Sequence, residues 1–174
     1  MPSAAKTALS AMLALGLAAC AGDNAPPPGQ PSFYRSLASS GAELDAAAAA
    51  SMISGYRQNN GLTAVVVDPT LMRLADEQAR AMVARDKLDH NAKGDFGKRM
   101  KGSGFGAKIA VENVSAGYHT LAEAFSGWRD SPPHRANMLK SGVTHMGIAA
   151  VYAPGSKYKV FWTLILAAPD QAKG

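Results

Sequence analysis

The sequence contains a single cysteine, Cys20, and it lies close to the N-terminus. From Ala21 onward there is no thiol, so the folded part of the chain holds no disulfide of its own. Long apolar runs are lacking too. The stretch from Ala8 to Ala19 is too short and too early for a typical spanning helix. Charge is sparse: charged residues make up 18% of the chain, and the net charge of +5 is spread along it, so no nucleic-acid partner is expected. The densest basic cluster is Lys98, Arg99, Lys101 and Lys108, diluted by glycine. It reads as a solvated loop, one that would still favour an anionic envelope surface. There is no internal repeat, and neither HExxH nor any other local pair of metal ligands is present.

What is present is enough for one ordinary domain. A chain of 174 residues with 47% hydrophobic content can bury a core. Ahead of it, Met1 to Cys20 has the three parts of a secretory signal: a lysine, an apolar run, and a small-residue end. That end, Leu17-Ala18-Ala19-Cys20, resembles a bacterial lipobox. The resemblance implies that residues 1–19 are a signal peptide and that Cys20 receives a diacylglycerol and becomes the new N-terminus. An ordinary signal cleaved after Ala19, leaving Cys20 as a spare thiol, is the other reading. Two or more acyl chains anchor a protein stably where one is marginal. Ala21, rather than aspartate, follows the cysteine. By the sorting rule for such signals this points to the outer membrane, facing the periplasm or the surface. Residues 20–39, rich in proline at their start, are expected to form an extended tether.

The domain proper is expected over residues 40–168. Ser40 and Glu43 have capping-box spacing and predict a helix running to Gln58, stopped by Asn59-Asn60-Gly61. Leu62 to Val67 reads as extended. Asp68-Pro69 reads as N-cap plus proline at N1, followed by a helical stripe from Leu71 to Val83. Residues 92–107 read as a long loop bordering a site, with a short helix around Phe96 to Lys101. Ile109 to Ser115 is expected as a strand. Leu121, Ala124, Phe125 and Trp128 mark another helix, with Thr120 and Glu123 as its capping box. Ser131-Pro132 predicts the N-cap and first position of a short helix carrying His134 and Asn137. Thr144–Ala153 and Lys157–Ala167, joined at Pro154-Gly155-Ser156, predict an antiparallel hairpin. The pattern fits an α+β domain with helices packed on a small antiparallel sheet.

Three ionisable side chains stand at element edges: His90, Glu112 and His134. Two imidazoles and a carboxylate form a donor set that Zn²⁺ accepts with a position left for water. The same set suits general acid/base work. Spacing alone leaves open the plainer reading of two surface histidines and a structural glutamate. Ser131 with His134 makes a poor hydrolase pair, because Ser131 is placed as an N-cap and no nucleophile-elbow pattern surrounds it. His119 and His145 read as surface or packing histidines. Trp128, Trp162, Phe125 and Phe161 read as core.

Taken together, several motifs resemble a bacterial member of the CAP superfamily, the SCP/PR-1-like domain. They are Asn59-Asn60-Gly61-Leu62 followed by Val67-Asp68-Pro69; Asp89-His90-Asn91; Glu112-Asn113; Ser131 to Leu139 (SPPHRANML); and His145-Met146-Gly147-Ile148. The likeness covers most of residues 44–166 and implies an α-β-α sandwich. It also implies that His90 and His134 are the two cavity histidines, and that Glu112-Asn113 is the glutamate-asparagine of the family's GEN motif. Val111 replaces the motif's glycine. The second glutamate of eukaryotic members has no counterpart, since Ser131 stands three residues after Trp128. Glu123 is explained well enough by its capping box. Asn113 and Arg135 are expected to buttress the site through hydrogen bonds.

The resemblance implies an extracytoplasmic, membrane-tethered protein. Its His90/Glu112/His134 cleft would hold Zn²⁺ or another divalent cation and engage a ligand or envelope partner. The alternative is a metal-assisted hydrolase of peptides or cell-wall material with Glu112 as base. A structural envelope protein with a vestigial site is a third reading.

Overall fold

The computed structural model describes Met1 and residues 29–170. The signal-peptide and Cys20 expectations lie outside the described residues.

Among the described residues, five α-helices and four strands make up the domain. Helix α1 (Ala46–Gln58) begins later than the Ser40–Glu43 spacing suggests. Asp45 is its N-cap, and the Asp45 carboxylate accepts from the Ala48 amide at 2.9 Å. Its alanines form a thin buried face through Ala49 and Ile53, ending on Arg57. Residues 31–39, placed in the tether by composition, lie on the domain instead. Leu37 is buried, Phe33 and Ala38 pack on the same core, and the Leu37 amide donates to the His119 carbonyl at 2.7 Å.

Strand β1 is only Val66–Val67. Helix α2 (Pro69–Arg85) starts as expected from Asp68 and Pro69, and buries Leu71, Leu74, Ala75, Gln78, Ala79 and Met82 as one stripe. Helix α3 (Phe96–Gly102) is capped by Asp95. Strand β2 (Ala107–Ala116) leads to helix α4 (Leu121–Asp130), where both halves of the Thr120/Glu123 capping box are made. Helix α5 (Pro132–Met138) follows, with Ser131 at the N-cap position. Its hydroxyl makes no capping bond, so the proline entry and the preceding turn set this helix rather than the serine side chain. Strands β3 (His145–Ala153) and β4 (Lys159–Pro169) form the hairpin.

The sheet order is β1-β3-β4-β2. The three long strands pair antiparallel, and the short β1 adds a parallel edge to β3, so the sheet is mixed. Strand β4 is central and buried from Val160 to Ala168. Its alternation sorts the two faces. Val160, Trp162, Leu164 and Leu166 meet α1, α4 and α5, with Trp128 and Trp162 edge to face at 6.2 Å. Phe161, Ile165 and Ala167 meet α2 and α3. The result is an α-β-α sandwich with a core on each side of the sheet.

One glycine sets the spacing of these layers. A Cβ at Gly147 on β3 would collide with the main chain of Leu71 and Met72, so the start of α2 crosses the sheet directly over a residue without a side chain.

Candidate functional site

The site is built on β2, an edge strand of the sheet. Glu112 pairs across the ladder with Ile165 and Asn113 with Leu164, so the two neighbours face opposite layers. Glu112 turns towards α2 and α3, and Asn113 towards α5. The edge thus presents a carboxylate to one layer and an amide to the other.

His90 stands on the turn that follows α2. That turn is held by Gln78, a buried member of the α2 stripe. Gln78 Nε2 donates to the carbonyls of Asp89 at 2.8 Å and His90 at 3.1 Å, and its Oε1 accepts from the Lys93 amide at 3.0 Å. From there the His90 ring reaches back to Glu112, with Nδ1 3.0 Å from Oε1. A carboxylate can only accept, so this contact fixes the tautomer with the proton on Nδ1 when the ring is neutral. The ring is half exposed and the Glu112 side chain is only 2% exposed.

Arg99 completes the contacts of this carboxylate. The Arg99 Nη2 donates to Glu112 Oε2 at 2.7 Å and to the His90 carbonyl at 3.3 Å, while Nε donates to the Gly94 carbonyl at 3.1 Å. Its side chain is 8% exposed, and the Phe96 ring lies 5.2 Å from the guanidinium carbon. The basic cluster is therefore not uniformly a solvated loop: Lys98 and Lys101 face solvent, and Arg99 between them turns inward.

His134 approaches from α5. Its carbonyl accepts from Asn113 Nδ2 at 3.0 Å. Asn137, one turn further on, donates through Nδ2 to the Glu112 carbonyl at 3.0 Å and to Asn113 Oδ1 at 2.9 Å. The His134 imidazole is half buried. Burial first, and the nearby charge of His90 second, hold its pKa below the ordinary 6.5. Arg135 does not join the site: its guanidinium is exposed and reaches the Arg129 carbonyl at 3.5 Å. Glu123 spends Oε2 on the amides of His119 and Thr120, which accounts for it structurally. His145 meets the Thr144 hydroxyl and the edge of Phe105.

So His90 and Glu112 are in contact, His134 lies within electrostatic reach of His90, and Asn113 links the strand to α5. Arg99, Gln78 and Asn137 are functional neighbours that sequence reasoning did not assign. For Arg99 the available signal was one arginine among lysines; for Asn137, its place three residues after His134. A separate cleft of about 440 Å³ lies between α3 and β2, lined in part by Phe96, Met100, Lys101 and Ala110. None of His90, Glu112 and His134 lines it.

As a set of three ligands, His90, Glu112 and His134 do not fit a divalent cation in this arrangement. Both Glu112 oxygens are engaged, one by an imidazole and one by a guanidinium. Among the described residues no group of three or more His, Cys, Asp or Glu side chains is placed to hold a metal ion.

The family model of CAP, the cysteine-rich secretory protein family, matches residues 50–166. The chain belongs to the CAP family. That span contains His90, Glu112 and His134, the strands β1, β2 and β3, and β4 as far as Leu166. Among the relatives of this CAP protein is YkwD of Bacillus subtilis, 31% identical over 102 residues, which are 58% of this chain and 40% of YkwD. The chain thus spans well under half of that relative's length. Among solved structures, an outer surface protein from Borrelia burgdorferi superimposes with a TM-score of 0.64 at 17% identity, covering 75% of this chain and 99% of the other. An extracellular protein containing an SCP domain from Bacillus anthracis gives 0.60 at 22% identity, covering 70% and 39%. At such identities these likenesses speak for the shared sandwich alone. Among the described residues of the CAP domain no helix is long and apolar enough to cross a membrane.

Proposed function

We propose that this CAP domain is a binding module displayed outside the cytoplasm and held to the membrane through a lipidated Cys20. It engages a ligand or envelope partner at the face where His90 and His134 converge. One observation carries the reading: a half-exposed imidazole, His90, is held in a fixed direction by a buried carboxylate, with a second imidazole close by. Such a pair offers hydrogen bonds of set direction to a polar ligand. The extracellular and outer-surface descriptions of the Bacillus anthracis and Borrelia burgdorferi proteins support the location. The lipobox-like end at Cys20 supports the tether.

Hydrolysis is the second reading, and the His90–Glu112 contact is what favours it, since a buried carboxylate orienting an imidazole is an acid/base arrangement. In that reading His90 is the base. Glu112 as base, in a metal-assisted reaction, has against it that both of its oxygens are already engaged.

The test is binding of the purified chain to isolated envelope fractions, alongside release of product from peptides and cell-wall material. Binding lost in His90→Ala and His134→Ala, without turnover in the wild type, supports the module. Turnover lost in His90→Ala and in Glu112→Gln, with the fold intact, supports the hydrolase. No effect on either readout leaves the vestigial site. Loss of acyl-chain labelling in Cys20→Ala tests the anchor separately.

A further inference from the structure

We propose that Arg99 is the resident cation of this site: its guanidinium occupies the charge position beside Glu112 and excludes Zn²⁺ and similar ions from the His90/Glu112/His134 set. Two observations support this. First, the ion pair is tight and enclosed, with Nη2 2.7 Å from Oε2 and both side chains at least nine-tenths buried. Second, Arg99 is not draped on the carboxylate by chance. The Gly94 and His90 carbonyls, on the turn that carries His90, and the Phe96 ring, at the start of α3, fix it.

The chemistry follows from the donor set. For Glu112 to be the third ligand an ion must share its oxygens, and each already accepts a hydrogen bond, one from an imidazole N–H and one from a guanidinium whose positive charge repels a second cation. A metal can displace the proton of a histidine or a lysine, whereas an arginine offers no comparable route and must be moved bodily. Moving it here breaks three hydrogen bonds, two of which also shape the His90 turn. The inference does not depend on what the module binds, because metal occupancy is read without any ligand or turnover.

Calorimetric titration of the full chain with Zn²⁺ tests it, with Arg99→Met, Arg99→Lys and the double variants Arg99→Met/His90→Ala and Arg99→Met/His134→Ala. The wild type and Arg99→Lys are expected to show no saturable binding at this site. Arg99→Met is expected to gain a 1:1 site at least about tenfold tighter than any wild-type uptake, and both double variants should lose it. If Arg99→Met fails the circular-dichroism check of its fold, Arg99→Gln carries the same expectation, keeping a donor while removing the charge. Wild-type 1:1 binding that disappears in His90→Ala overturns the proposal. So does a folded neutral variant that gains nothing.

Discussion

The Asn137 side-chain amide donates to the main-chain carbonyl of Glu112 at 3.0 Å, tying α5 to the free edge of β2 from the face opposite the Glu112 carboxylate. The same nitrogen reaches Asn113 Oδ1 at 2.9 Å, and Asn113 Nδ2 returns to the His134 carbonyl. Two amides thus register the His134 helix against the strand that carries Glu112. Replacing either leaves a partly buried polar group without a partner, so Asn137→Ala and Asn113→Ala should each cost about 1–3 kcal/mol in urea unfolding. The double variant should cost clearly less than the sum, because the two residues share one network. Strict additivity would remove the argument that they act together.

Arg57 is fully buried and donates to four main-chain carbonyls: Thr63, Met138, Lys140 and Val143. It joins the end of α1 to the loop before β1, the end of α5 and the approach to β3. Burial pushes its pKa down. Arg57→Met should destabilise by at least about 3 kcal/mol, since several carbonyls lose their donor at once. Arg57→Lys should fall between it and the wild type. An Arg57→Met variant as stable as the wild type in chemical denaturation would refute this role.

Gly147 is the point where α2 crosses the sheet. Gly147→Ala places a methyl against the main chain of Leu71 and Met72, which cannot rotate aside. The expected loss is about 3 kcal/mol or more, or failure to fold. Gly55→Ala, in open space on α1, serves as the control and should be neutral or mildly stabilising.

His134 supplies a pH dependence with a definite sign. Its folded pKa lies below the ordinary 6.5, through burial first and His90 second. Above about pH 6.5 the ring is neutral whether folded or not, and its contribution is fully present. As pH falls through that value the unfolded chain takes up the proton more readily than the folded one, so stability is lost until the folded pKa is passed. Unfolding midpoints of wild type and His134→Gln should therefore diverge across this window, the wild type losing more. Parallel curves would show that the ring is not held neutral.

The start of α1 rests on Asp45, which accepts from the Ala48 amide and from the Ser32 hydroxyl at 2.7 Å; these bonds hold its carboxyl below the usual range. Asp45→Ala should lower the thermal midpoint measurably. Ser40→Ala and Ser131→Ala, whose hydroxyls cap nothing, should leave it unchanged. A loss in Ser131→Ala equal to that in Asp45→Ala would restore the serine as a working cap.

What the sequence determined by itself was local. Asp68-Pro69, the Thr120/Glu123 box and the α2 stripe place α2 and α4, and the alternation around Pro154-Gly155-Ser156 places the hairpin. In each case the signal and the structure it specifies lie within a few residues of one another. The motifs that resemble the CAP family also nominated His90, Glu112 and His134, and the fold brings the first two into contact. Tertiary structure decided the rest. Whether helix α1 starts at Ser40 or Asp45 depends on Leu37 and Phe33 packing back onto the core, a contact across some eighty residues to His119. Whether Arg99 is one more solvated base or the partner of Glu112 depends on α3 packing beside β2. Whether Arg57 is a surface charge or a staple depends on carbonyls as far away as Val143. Burial and direction are properties of packed layers, and no residue type or spacing carries them. That is why three candidate ligands were legible in the chain, while the guanidinium that sits among them was not.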